Sequence, residues 1–187
     1  MARGEERLCD AEGLDGLLGD LARRIAEGRR PGVPLRLVGV RTRGVPIAER
    51  LAVRLERVLG EPIAVGALDI TLYRDDLGGG SRWPVLLGTD ITFEVDGAGI
   101  VLVDDVLFTG RTIRAALNAV CDLGRPASVR LAVVVDRGGR ELPIRADLAG
   151  LMVDARPEES VRVRVRPVDA VDEVVRIGPD PRGDDLP

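Results

Sequence analysis

Apolar residues recur along this chain with two periods, and the switches between them mark out its elements. Leu14, Leu17, Leu18, Leu21 and Ile25 fall three and four apart, which predicts an amphipathic helix ended by Gly28 and the Pro31-Gly32 pair. Leu35 to Val40 predicts a strand. Pro46 opens a second helical pattern carried by Ile47, Leu51, Leu55 and Val58. Ile63 to Leu68 predicts another strand. The apolar runs beginning at Ile100 and spanning Leu131 to Val135 are continuous, as in parallel strands buried on both faces. Ile113, Ala116, Leu117 and Val120 predict a third helix, with Cys121 on its apolar stripe as a small core residue. Val161, Val163 and Val165 alternate with Arg162, Arg164 and Arg166, as in a strand with one wet face. Two stretches break the pattern. Asp136 to Gly150 is polar and turn-rich, and Thr71 to Asp96 surrounds Gly78-Gly79-Gly80; a loop this long inside a compact domain suits a lid, and the glycine run alone equally suits a flexible connector. Strands alternating with helices predict an α/β fold with a mainly parallel central sheet flanked by helices. The expectation is one domain over residues 1–178 and a disordered acidic tail over 179–187.

Composition narrows the chemistry. Aromatic residues make up 2% of the chain, so the core must be aliphatic. No apolar stretch approaches the roughly 20 residues of a membrane span, and no apolar segment follows the charges of MARGEERLCD, so a cytoplasmic protein is expected. There is no His, and all 27 cationic side chains are Arg. That excludes a histidine base or metal ligand, a lysine Schiff base and a P-loop lysine. Cys9 and Cys121 form no metal-spaced pair. Carboxylates, hydroxyls, arginines, backbone groups and a bound metal must carry any reaction. The net charge of −4 argues against a generally basic nucleic-acid coat.

The richest segment is IVLVDDVLFTGRT, Ile100 to Thr112. A strand delivers Asp104 and Asp105 to its carboxyl end, where open α/β sheets bind ligands. Phe108, Thr109, Gly110, Arg111 and Thr112 then form a short loop opening a helix. Backbone N–H groups, hydroxyls and an arginine at a helix N-terminus suit a phosphate. Paired carboxylates suit vicinal hydroxyls or a hydrated Mg²⁺. A sugar phosphate satisfies both halves.

This segment resembles the phosphoribosyl pyrophosphate (PRPP) motif of type I phosphoribosyltransferases. GVRTRG (Gly39 to Gly44), LDITLYRDDL (Leu68 to Leu77), DLGRP (Asp122 to Pro126) and VVDRGGRELPIRAD (Val134 to Asp147) extend the resemblance. Together they are similar to bifunctional pyrimidine-operon attenuation regulators with uracil phosphoribosyltransferase activity, in order, from about Leu14 to Val165. The resemblance implies a flexible loop and a small hood on the sheet. It also implies roles. Asp104 and Asp105 contact the ribose hydroxyls and, indirectly, Mg²⁺. Val106, Leu107 and Phe108 continue the substrate-binding motif, and Thr109 to Thr112 hold the 5′-phosphate. Thr42, Arg43 and Gly44 take the pyrophosphate. Arg74 and Arg82 belong to the closing loop, and Arg137 and Val153 line the base pocket, with Arg137 counted with the catalytic residues. The implied reaction is uracil + PRPP → UMP + pyrophosphate. Phe108 stands where purine-specific relatives carry a carboxylate, which favours a pyrimidine.

The resemblance also implies a homo-oligomer and UMP-dependent binding of pyrimidine-operon leader RNA. Residues associated with RNA contact depart from the family pattern at Gly19, Arg23, Gly139, Leu151 and Ala155, and Asp154 adds negative charge. Arg23, Arg24, Arg29, Arg30, Arg140 and Arg145 offer a compensating basic patch, or else a solvated face with ordinary ion pairs. A non-catalytic UMP sensor acting through RNA or protein partners is the alternative reading.

Overall fold

The computed structural model describes residues 4–73 and 88–179. Arg74, Arg82 and the glycine run lie outside the described residues, as does the expected tail beyond Pro179. Among the described residues the elements are β1 (Glu5–Cys9), α1 (Ala11–Glu27), β2 (Leu35–Val40), α2 (Gly44–Leu59), β3 (Ala64–Leu68), β4 (Gly99–Leu107), α3 (Arg111–Leu123), β5 (Ser128–Asp136), β6 (Leu148–Met152), β7 (Ser160–Arg164) and β8 (Glu173–Ile177), with a single 3₁₀ turn at Thr71–Tyr73.

The central sheet is parallel throughout, in the order β3-β2-β4-β5-β6. Its strands are buried on both faces, and their side chains alternate between two cores. Leu35, Leu37, Val101 and Val103 join the core under α1 and α2, while Val38, Val40, Ile100 and Leu102 join the core under α3. Nearly continuous apolar strands are therefore required, because neither face meets water. Asp10 starts α1 by accepting a hydrogen bond from the Gly13 N–H at 3.0 Å, and Gly28 ends it as expected.

A second, antiparallel sheet in the order β1-β8-β7 lies over the first core, to which Val161, Val163 and Val174 contribute. The alternation at β7 is the expected one-sided strand. Its wet face carries ion pairs from Arg164 to Glu5 (2.7 Å) and Glu173 (2.6 Å), beside an Arg7–Glu173 pair at 2.9 Å. Sequence reasoning misses β1 because its residues are largely charged; pairing with β8, not its own pattern, makes it a strand. It likewise misses β6, which covers the edge of β5.

Four expectations need correction. The strand of the central motif does not end at the carboxylates but runs through them to Leu107, because β5 continues to pair alongside. The second helix begins at Gly44, two residues before Pro46. Cys121 is exposed, not a core residue: the buried stripe of α3 runs Ile113, Ala116, Val120, and Cys121 falls one position around the helix from it. Val58 is likewise on the open side of α2.

Candidate functional site

The chain leaves β2 toward one edge of the sheet through β3, then returns to place β4 on the other side of β2. The reversal opens a crevice at the carboxyl ends of these strands, where α/β sheets bind ligands. A cavity of about 380 Å³ lies there, lined by Arg41, Thr42 and Arg43 after β2, Asp69 to Thr71 after β3, Asp104 to Val106 on β4, and Thr112 on α3. The tertiary structure thus gathers residues from three of the sequence motifs around one space.

Glycines set how closely the walls approach. A Cβ on Gly44 would stand 2.3 Å from the Val103 carbonyl oxygen and 3.4 Å from the Asp104 Cα. A Cβ on Gly39 would meet the Val45 Cα at 2.5 Å. The first turn of α2 therefore rests directly on the backbone of β4, and the loop ahead of it is set against the carboxylates. Gly44 is a packing residue for the site, not merely a turn former.

Asp104 is buried and Asp105 half-buried, as expected of consecutive residues on opposite faces of a strand. Asp104 accepts the Asp105 N–H at 2.9 Å, and Asp105 accepts the Val106 N–H at 2.9 Å. Burial, followed by the adjacent charge of Asp105, pushes the Asp104 carboxyl well above the usual carboxylate range. Of the other motif residues, Val106 lines the cavity, whereas the Leu107 side chain is fully buried in the α3-side core. Its carbonyl accepts from the Arg137 N–H at 3.1 Å, so Leu107 meets the site only through its backbone.

Gly110 caps α3 with φ +92°, a conformation L side chains avoid, and a Cβ there would also crowd Ile144 at 3.3 Å and Leu142 at 3.4 Å. Gly110 has no side chain to cap α3, the Thr109 hydroxyl accepts the Arg111 N–H at 3.3 Å, and no acid sits in the first turn, which leaves the amino end electropositive. The RELPI stretch braces this loop. The N–H groups of Glu141 and Leu142 both donate to the Thr109 carbonyl, at 3.0 and 3.1 Å, and Glu141 holds the Arg111 guanidinium at 2.7 Å.

Arg140 organises the loop from beneath. Its Nε donates to the Ile144 carbonyl at 2.9 Å, its Nη1 to those of Phe108 at 2.7 Å and Gly138 at 3.1 Å, and its Nη2 to Asp136 at 2.5 Å. Phe108 lies partly exposed between Arg137, whose guanidinium stands 3.8 Å from the ring centroid, and Gly139. Gly139 has φ +71°, and a Cβ on it would meet the ring at 2.5 Å. Arg137 is buried; its Nη2 donates to the Arg156 carbonyl at 3.3 Å, and its Nε has no hydrogen-bond partner. Desolvation lowers its pKa. Val153 packs partly buried against the main core and gives its N–H to the Asp136 carbonyl at 2.8 Å.

The basic patch does not assemble as a free surface. Arg23 pairs with Asp20 and Glu27, Arg24 donates to the Ala149 carbonyl at 2.9 Å, Arg29 pairs with Glu61, and Arg140 is internal. Arg30 and Arg145 remain exposed.

A family model described as a phosphoribosyl transferase domain matches residues 11–159. Curated relatives named bifunctional protein PyrR cover nearly the whole chain. The one from Pelotomaculum thermopropionicum is 49% identical over 175 residues, spanning 94% of this chain and 97% of its own. The one from a Roseiflexus species is 51% identical over 167 residues, spanning 89% and 91%. Among solved structures, the hypoxanthine phosphoribosyltransferase of Trypanosoma cruzi aligns with a TM-score of 0.68 at 22% identity, covering 94% of this chain and 97% of that one, which shows a shared fold.

Proposed function

The chain belongs to the phosphoribosyl transferase family and, within it, to the bifunctional PyrR group, and from that premise we propose that it converts uracil and PRPP to UMP and pyrophosphate. The observation that carries this reading is the joining of the Asp104–Asp105 pair, the Thr42–Arg43 loop and Thr112 around one cavity at the switch point. In this reading the two carboxylates hold the ribose hydroxyls. The amino end of α3, with Thr109, Gly110, Arg111 and Thr112, holds the 5′-phosphate. Thr42, Arg43 and Gly44 receive the pyrophosphate, and Arg74 and Arg82 are counted among the substrate-binding residues.

The reaction breaks the bond from the ribose C1′ to the pyrophosphate oxygen and the N1–H bond of uracil, and forms the bond from C1′ to uracil N1, with the N1 proton passing to the departing pyrophosphate or to water. Holding both partners in line supplies most of the acceleration, because an oxocarbenium-like centre needs placement and charge compensation more than covalent help. Phe108 cannot accept the N1 proton, so it serves as an apolar and stacking surface. Arg137, stacked against that ring, and Val153 are the residues assigned to the base pocket in this reading.

The donor set fits Mg²⁺. The cavity lining carries Asp69, Asp104 and Asp105 against Arg41 and Arg43, so a polyanionic substrate needs a cation there. No cluster of three or more ligating side chains occurs among the described residues. Asp104 and Asp105 would therefore hold a Mg²⁺ indirectly, through water and the ribose hydroxyls, which suits an ion that keeps several waters. An ion held there would supply charge neutralisation for the leaving pyrophosphate.

UMP-dependent binding of leader RNA is the second half of this proposal. Its surface differs from a basic groove, since Arg23, Arg29 and Arg140 are engaged within the chain. The deciding assay is pyrophosphate release from PRPP and Mg²⁺ with and without uracil, with UMP confirmed by chromatography. Uracil-dependent UMP is expected. UMP binding without turnover would replace this reading with that of a non-catalytic UMP sensor.

A further inference from the structure

The connection between β7 and β8, residues 165–172, lies outside every motif that points to substrate, yet it grips the loop after β2. Asp169 accepts from Arg43 through both carboxylate oxygens, from Nε at 2.8 Å and from Nη2 at 2.8 Å. Its Oδ2 also accepts the Val165 N–H at 2.9 Å, which holds the carboxylate to its own loop. A second contact ties the same connection to α2: Asp172 holds Arg50 at 3.0 Å and accepts the Arg166 N–H at 2.8 Å. The accessory sheet is thus fastened to the start of α2 and, about two helical turns further, to its body.

The two contacts differ in what they reach. Arg43 lines the cavity, and Arg50 does not. The fork pairing with Asp169 uses Nε and Nη2 and leaves Nη1 outside the pair. A planar guanidinium held by two parallel bonds has one orientation, so the position of its remaining donors is set as well. The pairing also holds the Asp169 carboxyl below its ordinary range and keeps Asp169 charged.

We infer that Asp169 is a positioning residue for the leaving group: it fixes the Arg43 fork so that Nη1 faces the pyrophosphate, and it makes the accessory sheet part of the pyrophosphate site. The inference rests on the reading of Arg43 as a pyrophosphate ligand. An unheld arginine must be ordered when the substrate binds, and ordering one long side chain weakens binding by roughly 3–10-fold. Simple charge removal acts in the opposite direction, because losing a carboxylate beside a polyanion tightens its binding.

The test compares Asp169→Ala, Asp169→Asn and Asp172→Ala in the full chain. Steady-state KM for PRPP and for uracil is measured, together with the dissociation constant of magnesium pyrophosphate in the absence of uracil. The expected result is a rise of roughly 3–10-fold in the PRPP KM and in the pyrophosphate constant for Asp169→Ala. Asp169→Asn, which keeps one acceptor for the fork, should lie between it and the parent. The uracil KM should hold, and Asp172→Ala should leave the PRPP KM in place. Unchanged or tighter pyrophosphate binding in Asp169→Ala overturns the inference, and so does an equal loss in Asp172→Ala, which would assign the effect to the loop as a whole. If the parent protein binds pyrophosphate but makes no UMP, the catalytic reading fails while the pyrophosphate constants still decide the role of Asp169.

Discussion

Adding one methyl group at Gly44 tests the geometry of the site most directly. The new Cβ would stand 2.3 Å from the Val103 carbonyl oxygen, where ordinary contact begins near 3.4 Å. The atom it meets is backbone in the middle of the central sheet, held by strands on both sides, so it cannot swing away. The start of α2 must then move off β4 by about 1 Å, carrying Thr42 and Arg43 away from Asp104 and Asp105. Overpacking of this kind costs about 1–3 kcal/mol. Alanine's better helix propensity returns at most about 1 kcal/mol, less at a first helical position. The clash should win, lowering Tm by about 2–4 °C for each net kcal/mol in a chain of this size. Displacement by 1 Å at a reacting centre costs on the order of 100-fold in rate, so turnover should fall far more than stability. Gly19→Ala is the matched control: that glycine sits in the middle of α1 with nothing within 4 Å of a Cβ. The change there should stabilise by about 0.5–1 kcal/mol and leave turnover alone. Calorimetry and the UMP assay on both variants suffice. Gly44→Ala with parental Tm and parental kcat/KM for PRPP would refute the claim that α2 and β4 are packed to contact at the site.

Other consequences follow from the electrostatics and the brace. The raised pKa of Asp104 means that its charge costs stability: the favourable contribution is complete below the unfolded value near 3.8 and is lost as pH rises through the folded value. Asp104→Asn should therefore melt higher than the parent at pH 7, with the gap closing toward pH 4, while UMP formation is lost; a variant less stable at pH 7 than at pH 4, relative to the parent, would contradict this. Arg140→Ala removes the bonds to Ile144, Phe108, Gly138 and Asp136 and leaves a buried carboxylate without its cation. A loss of about 3–5 kcal/mol is expected, with a fall in Tm of roughly 10 °C. An unchanged melt would restore Arg140 to the free basic surface and to RNA binding.

The sequence by itself determined the parallel sheet, its helices and the local chemistry of the central motif. Those features are written in short windows: continuous apolar runs for strands buried on both faces, three-and-four spacing for α1 to α3, and carboxylates followed by a glycine-containing turn at a helix start. Local pattern failed where partners make the structure. β1 is a strand because β8 binds it, and Cys121 is exposed because the stripe of α3 meets the sheet one position away. The fate of each arginine was also a tertiary matter. An arginine codon says nothing of which carboxylate lies within reach. Only the fold turned Arg140 inward as a brace, neutralised Arg23 and Arg29, and set Asp169 against Arg43 across 126 residues of chain. Charge pairing depends on distances of a few ångströms between segments remote in sequence, and no periodicity along the chain encodes those distances.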